Sequence, residues 1–325
     1  MPDLAYLVLE FATIVLFGLT VWHARQRGNG ALLELGVAGV YGILLEWGNI
    51  LIFRTYHYAP HFWLAIGPVP VVIGLCWGMI IYGAMAYSDQ LGLPQWAAPF
   101  GDAIWAIMLD LAFDAIAIRL QLWTWSNPLG TGYFGVPADN FFAWLFVAFA
   151  FSAYVRWVRP RQSPRALRLS LYLSAPLWSF GGLLLGILLY NVLAALAYPA
   201  GAPLGGSMPI FVAMLAIFAA VVGGAIWRGG IRAQHGIDVI PVLTRWAMHG
   251  YFIGWAVLLL WFPALRLPGM DMPAFLIWVA IALLLLEGLL LVPVLQRNVA
   301  FRRQLVVPRA QAKVQETPQR RHGLV

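Results

Sequence analysis

The sequence has little charge and almost no cysteine, and each deficit excludes a class of protein. Only 10% of the 325 residues are charged, whereas a soluble domain carries about a quarter, so a water-soluble fold is excluded. The single cysteine, Cys76, allows neither an intramolecular disulfide nor a thiolate metal cluster. A basic segment before the first apolar stretch is also missing, and Arg25 and Arg27 follow that stretch. We therefore expect a retained membrane span and no cleaved signal peptide.

Apolar residues make up 62% of the chain and gather in long stretches. A helix needs about 20 mostly apolar residues to cross the hydrocarbon core of a membrane. The sequence therefore predicts an all-α, polytopic integral membrane bundle of about nine transmembrane helices. It has one domain over residues 1–296 and a basic tail over 297–325 that we expect to be disordered and cytoplasmic. The predicted spans lie near residues 4–24, 31–54, 65–88, 100–122, 138–158, 169–198, 208–228, 240–264 and 272–296.

The basic residues indicate the direction of these spans. Sixteen of the twenty Lys and Arg residues fall in alternate loops and in the tail, whereas only Arg54 and Arg266 fall in loops on the other side. Because loops rich in Lys and Arg stay in the cytoplasm, we expect the N-terminus outside, the C-terminus in the cytoplasm, and a multi-pass location in the inner cell membrane. This orientation accounts for the net charge of +7, so no nucleic-acid partner is expected.

Carboxyl groups occur inside the predicted spans, where each is costly unless it is paired, protonated or hydrated. Asp110 and Asp114 of span four are four residues apart and share one helix face. Two carboxyl groups so close in a medium of low dielectric constant are expected to share a proton, which makes them a candidate buried acid. Glu46 of span two lies at a similar depth, in the outer half of the membrane, and Asn49 follows one turn later.

Other ionisable residues of the spans have structural interpretations. Arg119 lies about 140° round the helix from Asp114 and about 180° from Asp110. We therefore expect it to reach the interface or to pair with another helix, for which Glu46 is one candidate. Glu10 is expected to be structural, as are Arg245 and Glu287 of consecutive spans, which we predict to form an ion pair. The acids of spans two and four could likewise only hold helices together, but three acids at comparable depth favour a functional site.

The two connections predicted on the outer side are aromatic. Residues 55–64 contain His57 and His61 with Pro60 between them, which interrupts a helical face, so interfacial histidines are favoured over a metal site. This segment, with the prolines that follow it, is expected to fold irregularly against the protein. The second connection is rich in rings, which form either an aromatic belt at the headgroups or an aromatic wall for an apolar polyene or a developing cation. Its rings are Trp123, Trp125, Tyr133, Phe134 and Trp144.

The acidic stretch and its surroundings resemble a known membrane family. LLEWGNILIFRTYHYAP and GPVPVVIGLCWGM precede DLAFDAIAIRLQLWTW and GYFGVPADNFFAW. An acidic helix ending in Trp-x-Trp, a Gly-Tyr-x-Gly-Val-Pro turn and an Asn-Phe-x-x-Trp start to the next span are features of the carotenoid-biosynthesis family that includes the carotenoid hydratases acting on linear ψ-ends. The resemblance covers residues 31–160 and extends to about 230. Where other members carry Gly/Pro-Phe-Gly after the Glu-Trp of span two, this chain has NILIFRTYHYAP.

The resemblance implies addition of water to a terminal alkene of an acyclic or monocyclic carotenoid, giving a tertiary alcohol without a redox cofactor or a metal. From their chemistry, Asp110 and Asp114 are the expected proton donors, and Glu46 helps to orient the water. The expected partners are the lipophilic carotenoid, water, membrane lipid and other carotenoid enzymes. The expected substrate-binding residues are Asn49, Tyr58, Arg119, Trp123, Trp125, Tyr133, Asn140 and Trp144.

Two other functions remain open from the sequence. A membrane prenyltransferase also has about nine helices with acidic motifs, but its acids bind Mg²⁺ and diphosphate in water, whereas these acids lie deep in the predicted spans. A non-catalytic carotenoid- or isoprenoid-binding or transport protein would need only the aromatic wall. Incorporation of oxygen from water into the product would separate hydration from both.

Overall fold

The computed structural model describes residues 2–160, 164–231, 237–266 and 269–312, and this part of the chain is mostly helical. Seven of its helices are long and apolar enough to cross a membrane, which indicates a membrane protein. The α-helices are α1 (Pro2–Arg27), α2 (Asn29–Trp47), α3 (Val71–Leu91), α4 (Ala98–Ala117), α5 (Ala138–Val158), α6 (Arg165–Leu173), α7 (Ala175–Ala197), α8 (Met208–Gly229), α9 (Val239–Trp261) and α10 (Ala274–Ala312).

Each of the nine predicted spans overlaps one of these helices, except that span six overlaps two. The seven stretches that qualify by length and apolarity do not include α4 and α9. α4 carries three Asp residues and α9 carries Arg245 and His249, and these groups lower the hydropathy of both helices. Predicted span six is one continuous apolar stretch that the structure divides into α6 and α7. The number of spans and their orientation therefore stay a prediction.

The ends of several helices differ from the expected spans. Predicted span three starts at residue 65, but α3 starts at Val71 because β2 (Ala65–Ile66) and β3 (Val69–Pro70) form a small hairpin before it. α2 continues into a π-helix, Gly48–Phe53. At the other end of the chain, α10 continues beyond residue 296 as far as Ala312. Residues 313–325 lie outside the described part, so the disordered tail stays a prediction.

The first aromatic connection is expected to fold irregularly; residues 59–64 have no regular structure, but Tyr56–Tyr58 form a strand that pairs with the second connection. β1 (Tyr56–Tyr58) and β4 (Trp123–Trp125) form an antiparallel pair in which Tyr56 faces Trp125 and Tyr58 faces Trp123. The pairing satisfies backbone N–H and C=O groups of both connections. We call this end of the bundle the strand end.

α4 lies at the centre of the bundle, where it packs against α3, α5, α8, α9 and α10. Its buried face is built from small residues alternating with larger apolar ones, so that five neighbours can approach one helix. Any polar side chain on α4 is therefore enclosed by protein and needs a partner within the bundle.

Ion pairs hold the opposite end together, which we call the arginine end. Arg156 of α5 contacts Asp89 at 2.5 Å and Asp102 at 2.9 Å, and Arg159 contacts Glu34 at 2.7 Å. The predicted pair between Arg245 and Glu287 is confirmed, and both of its side chains are fully buried.

Candidate functional site

A cavity of about 950 Å³, including the part that is open to its surroundings, lies toward the strand end of the bundle. Residues from α1, α3, α4, α5 and α9 line it, together with the ends of α2, β1 and β4. Most of its surface is apolar, which suits a lipophilic ligand. The polar and aromatic side chains that line it are Thr13, Glu46, Tyr56, Tyr58, Cys76, Trp77, Asp110, Phe113, Asp114, Trp123, Trp125, Asn140, Trp144, Tyr251 and Phe252.

The two aspartates of α4 face this cavity side by side, as their spacing predicts. The side-chain amide of Asn140, in the first turn of α5, joins them: its Nδ2 lies 3.3 Å from Asp110 Oδ2 and 3.0 Å from Asp114 Oδ2. Both carboxyl groups are almost completely buried. A single amide thus holds two carboxyl groups together where bulk water does not reach them.

The two aspartates differ in the number of donors that they receive. Asp114 Oδ1 accepts the indole N–H of Trp123 at 2.7 Å and that of Trp125 at 3.4 Å, in addition to the amide of Asn140. The N–H of Asn140 is the one hydrogen bond found for Asp110 among the described residues. Hydrogen bonds from N–H groups favour an ionised carboxylate. Asp114 is therefore built to carry a negative charge, whereas Asp110 can keep a proton.

Strand pairing positions the donors of Asp114. In β4 the side chains of Trp123 and Trp125 point to the same side, because residues two apart share a face of a strand. β1 fixes the position of β4 through the register of Tyr56 with Trp125. The Trp-x-Trp spacing thus places two indole N–H groups at one carboxylate.

Glu46, on α2, is the third acid of the cavity and also receives three donors. The hydroxyl groups of Tyr56 and Tyr58 and the indole N–H of Trp77 donate to it, at 2.7 Å for Tyr58 and for Trp77. Burial, and then the charge of Glu46, raise the pKa of both tyrosines well above the ordinary value, so their hydroxyls keep the protons that they donate. Gly42 leaves room for Trp77, because a Cβ there would lie 2.3 Å from the Cβ of Trp77.

Aromatic rings enclose the space in front of these acids. Trp77 stacks on Trp144 with 4.3 Å between ring centroids, and Phe113 meets the edge of Trp144 at 6.2 Å. Tyr58 meets Trp123 in a perpendicular arrangement at 6.0 Å. Since the faces of aromatic rings attract cations, the arrangement can accommodate an apolar chain and a positive charge that develops on it.

Three predicted substrate-binding residues do not line the cavity. Arg119 does not pair with Glu46, and that expectation is wrong: its guanidinium donates to the carbonyls of Ala115 at 2.6 Å and Asp271 at 2.7 Å, among others. The Arg119 side chain therefore binds backbone carbonyls at the C-terminal end of α4. The Tyr133 hydroxyl reaches the backbone of α4 at 3.4 Å, and the Asn49 carbonyl accepts the N–H of Thr55.

Three other polar residues near the strand end lie outside the cavity lining. Glu10 accepts the backbone N–H of Trp63 at 2.8 Å, a contact between α1 and the connection that follows β1. His57 is exposed, and His61 packs against Tyr6 with 5.5 Å between ring centroids. The described residues contain no group of three His, Cys, Asp or Glu side chains that could hold a metal ion.

Several residues of the cavity are missing from the sequence prediction. Tyr56 lies two residues before Tyr58, and this alternation could have indicated that both belong to one face of a strand. Trp77 lies in the GLCWGM run, where the flanking glycines indicate close helix packing. Nothing in the sequence marks Tyr251 and Phe252 of α9, because aromatic residues are common on apolar helices.

Comparison with known proteins identifies the family. The family model described as carotenoid biosynthesis protein matches residues 3–219, which includes α1 as well as the segments that carry the resemblance. No curated protein and no solved structure matches the chain. The matched region contains all three acids and the indoles that donate to them. The chain belongs to the carotenoid biosynthesis protein family.

Proposed function

We propose that the protein is a carotenoid hydratase, which adds water to the terminal double bond of a linear ψ-end and forms a tertiary alcohol. The observation that carries this proposal is the unequal hydrogen bonding of the two aspartates in an apolar cavity. An alkene is a very weak base, so its protonation needs a neutral carboxyl group that is shielded from water. Asp110 meets this requirement, since Asp114 beside it takes most of the N–H donors.

The reaction would proceed in two steps. Asp110 gives its proton to the carbon of the double bond that carries the hydrogen, and the electron pair of the double bond forms the new C–H bond. This leaves a cation on the carbon that carries two methyl groups. Water then forms a C–O bond to that carbon and loses a proton, which returns to Asp110 directly or by way of another carboxylate of the cavity, so the acid is restored and no oxidant or reductant is needed.

The ring faces and the two carboxylates would stabilise the cation. Trp123 and Trp144 line the cavity together with the aspartates, and the carboxylates of Asp114 and Glu46 line the same space. Glu46 is the carboxylate best suited to orient the water, because Tyr56, Tyr58 and Trp77 hold it in place. The hydroxyl groups of these tyrosines are also partners that a water molecule can bind.

Pigment analysis in a host that makes an acyclic carotenoid tests the proposal. The wild-type protein is expected to produce a carotenoid heavier by one water molecule, and Asp110→Asn and Asp114→Asn are expected to abolish it. Asp139→Asn is the matched control, because Asp139 is an aspartate at the same end of the bundle that does not line the cavity. A normal product from both cavity variants would remove the acid from the mechanism. Binding of the pigment without conversion would instead support a non-catalytic carotenoid-binding protein.

The proposal includes nine spans, with the strand end outside the inner cell membrane. α4 and α9 lie among the apolar helices and bury their ionisable groups against them, as expected for membrane spans with polar residues. A cysteine introduced at the exposed His57, in a protein without Cys76, should react with a charged thiol reagent added outside intact cells. Reaction only after the membrane is opened would reverse the orientation.

A further inference from the structure

The wall of the cavity is thin on the side that α1 and α9 form. Leu9, Ala12, Thr13 and Leu16 of α1 and Ala247, Met248, Tyr251 and Phe252 of α9 line the cavity. Phe11 and Val15 of α1 and Trp246 of α9 lie next to these residues and are exposed on the outside of the bundle. α3 and α4, in contrast, are buried on most of their surface. One layer of side chains therefore separates the cavity from the surrounding lipid on this side.

α1 and α9 are joined by polar contacts toward both ends of this wall. Nearer the strand end, the Tyr251 hydroxyl donates to the carbonyl of Ala5 at 2.9 Å. Nearer the arginine end, the hydroxyl groups of Thr20 and Thr244 lie 3.5 Å apart. The two contacts hold the helices at a fixed separation above and below the stretch that lines the cavity.

Four partly buried residues lie in the stretch between these contacts: Ala12 and Leu16 on α1, and Ala247 and Met248 on α9. We call them the α1–α9 window. Two of the four are alanines, so little side-chain volume fills the space between the helices. Met248 has an unbranched side chain that can change rotamer at small cost, so the window can admit an apolar chain without unfolding either helix.

A carotenoid cannot reach the acids by way of water. It is a rigid polyene whose length is comparable to the thickness of the hydrocarbon core, about 30 Å, and its solubility in water is very low. Only the end group of such a molecule has to lie at Asp110, so the rest must leave the cavity through an apolar opening. The window faces the medium in which the polyene is dissolved.

We propose that the α1–α9 window is a lateral portal through which an extended apolar polyene enters from the bilayer, end group first. The proposal rests on the proposed function only for the identity of the polyene. The portal fixes the direction of the substrate: the terminal double bond lies between Asp110 and Glu46, and the polyene passes between Ala12 and Ala247 into the lipid.

Cys76 provides a reporter that does not depend on the reaction. It is the only cysteine of the chain, it lines the cavity, and its sulfur lies 3.6 Å from the Thr13 hydroxyl of α1. In phospholipid vesicles that contain the full-length protein, phenylmercuric acetate, an apolar thiol reagent, should modify Cys76 faster than the charged p-chloromercuribenzenesulfonate. The opposite order would overturn the proposal, because it would mean that the cavity opens to water.

Narrowing the window should slow the apolar reagent. Ala12→Trp and Ala247→Trp are each expected to lower its rate by about tenfold, which corresponds to about 1.4 kcal/mol in the barrier to passage. Ala219→Trp on α8 is the control, because Ala219 faces the outside of the bundle away from the cavity. Slowing by Ala12→Trp alone would indicate local shielding of Cys76 and would also overturn the proposal. If either tryptophan variant does not fold, Ala12→Leu and Ala247→Leu should show a smaller effect in the same direction.

A further experiment tests the portal independently of the hydratase activity. Asp110→Asn should leave the labelling of Cys76 unchanged, and an acyclic carotenoid in the vesicles should protect Cys76 in this inactive variant. Loss of protection in the tryptophan variants supports the portal. If Ala12→Trp and Ala247→Trp slow the labelling of Cys76 but the wild-type protein makes no alcohol, the portal is retained and the hydratase is overturned.

Discussion

The acids at the two ends of the bundle have different partners, although some lie on the same helix. Asp102 and Asp110 are eight residues apart on α4, and both are almost completely buried. Asp102 contacts the guanidinium of Arg156 at 2.9 Å, whereas Asp110 contacts the neutral amide of Asn140 at 3.3 Å. The comparison teaches that burial alone does not identify a functional acid. What distinguishes the acids of the cavity is that neutral donors, and not arginines, surround them.

The same contrast holds for the other acids. Glu287 and Glu34 are paired with Arg245 and Arg159, and a buried acid with a cationic partner is ionised and chemically quiet. Glu46 receives only hydroxyl and indole donors. Charge balance at the cavity is therefore incomplete until a proton or a substrate cation supplies the positive charge.

Of the variants considered, Asp110→Asn should have the largest effect. It should lower activity without lowering stability. Loss of a general acid is expected to lower the rate by about 10²–10⁴-fold. The melting temperature should not fall, because the new amide removes a buried acid and still accepts the N–H of Asn140. Activity per folded molecule and thermal unfolding in detergent measure the two effects. A large fall in melting temperature with a normal reaction rate would mean that Asp110 has a structural role, like the acids that pair with arginines.

Glu287→Gln should have the reverse effect. It leaves the fully buried guanidinium of Arg245 without its carboxylate, which is expected to cost about 3–5 kcal/mol. The yield of folded protein should fall while activity per folded molecule is retained. Unchanged yield would contradict the structural ion pair.

Asp102→Asn sharpens the comparison on α4 itself. Arg156 keeps Asp89 as a partner, so the loss should be about 3 kcal/mol, the lower end for a broken buried pair. Unfolding by heat, compared with that of Asp110→Asn, measures the difference between two identical substitutions on one helix. Equal melting temperatures for the two variants would refute the division of these acids into two groups.

Trp77→Phe should have the smallest effect. It removes one N–H donor from Glu46 but keeps a ring against Trp144. A buried acceptor that loses a donor costs about 1–3 kcal/mol, which should appear as a slower reaction if Glu46 positions water. The rate at saturating carotenoid is the measurement, and Trp105→Phe, whose ring lies outside the cavity, is the control.

Much of the site is accessible from the sequence because it depends on local spacing. The four-residue interval of Asp110 and Asp114 places both on one face of any helix, and the Trp-x-Trp spacing places both indoles on one face of any strand. The depth of Glu46 follows from counting residues along a span. These inferences do not depend on how the helices pack.

The partners cannot be predicted in the same way, because they depend on packing between distant segments. The pairing of β1 with β4 joins residues nearly seventy positions apart in the sequence, and no local pattern fixes its register. Arg156 lies near the end of predicted span five, as it does in α5, but no local pattern indicates that its side chain is buried against Asp102. The charge of Arg119 favours a place in the site, whereas three backbone carbonyls bind it.

The origin of the oxygen atom in the product tests the central claim most directly. Purified protein in vesicles is supplied with an acyclic carotenoid in water enriched in heavy oxygen, in the absence of dioxygen, and the product is analysed by mass spectrometry. The account predicts a tertiary alcohol that carries one heavy oxygen atom with the wild-type protein and none of this product with Asp110→Asn. A carotenoid that stays unchanged with the folded wild-type protein, or an alcohol that carries only ordinary oxygen, would contradict it.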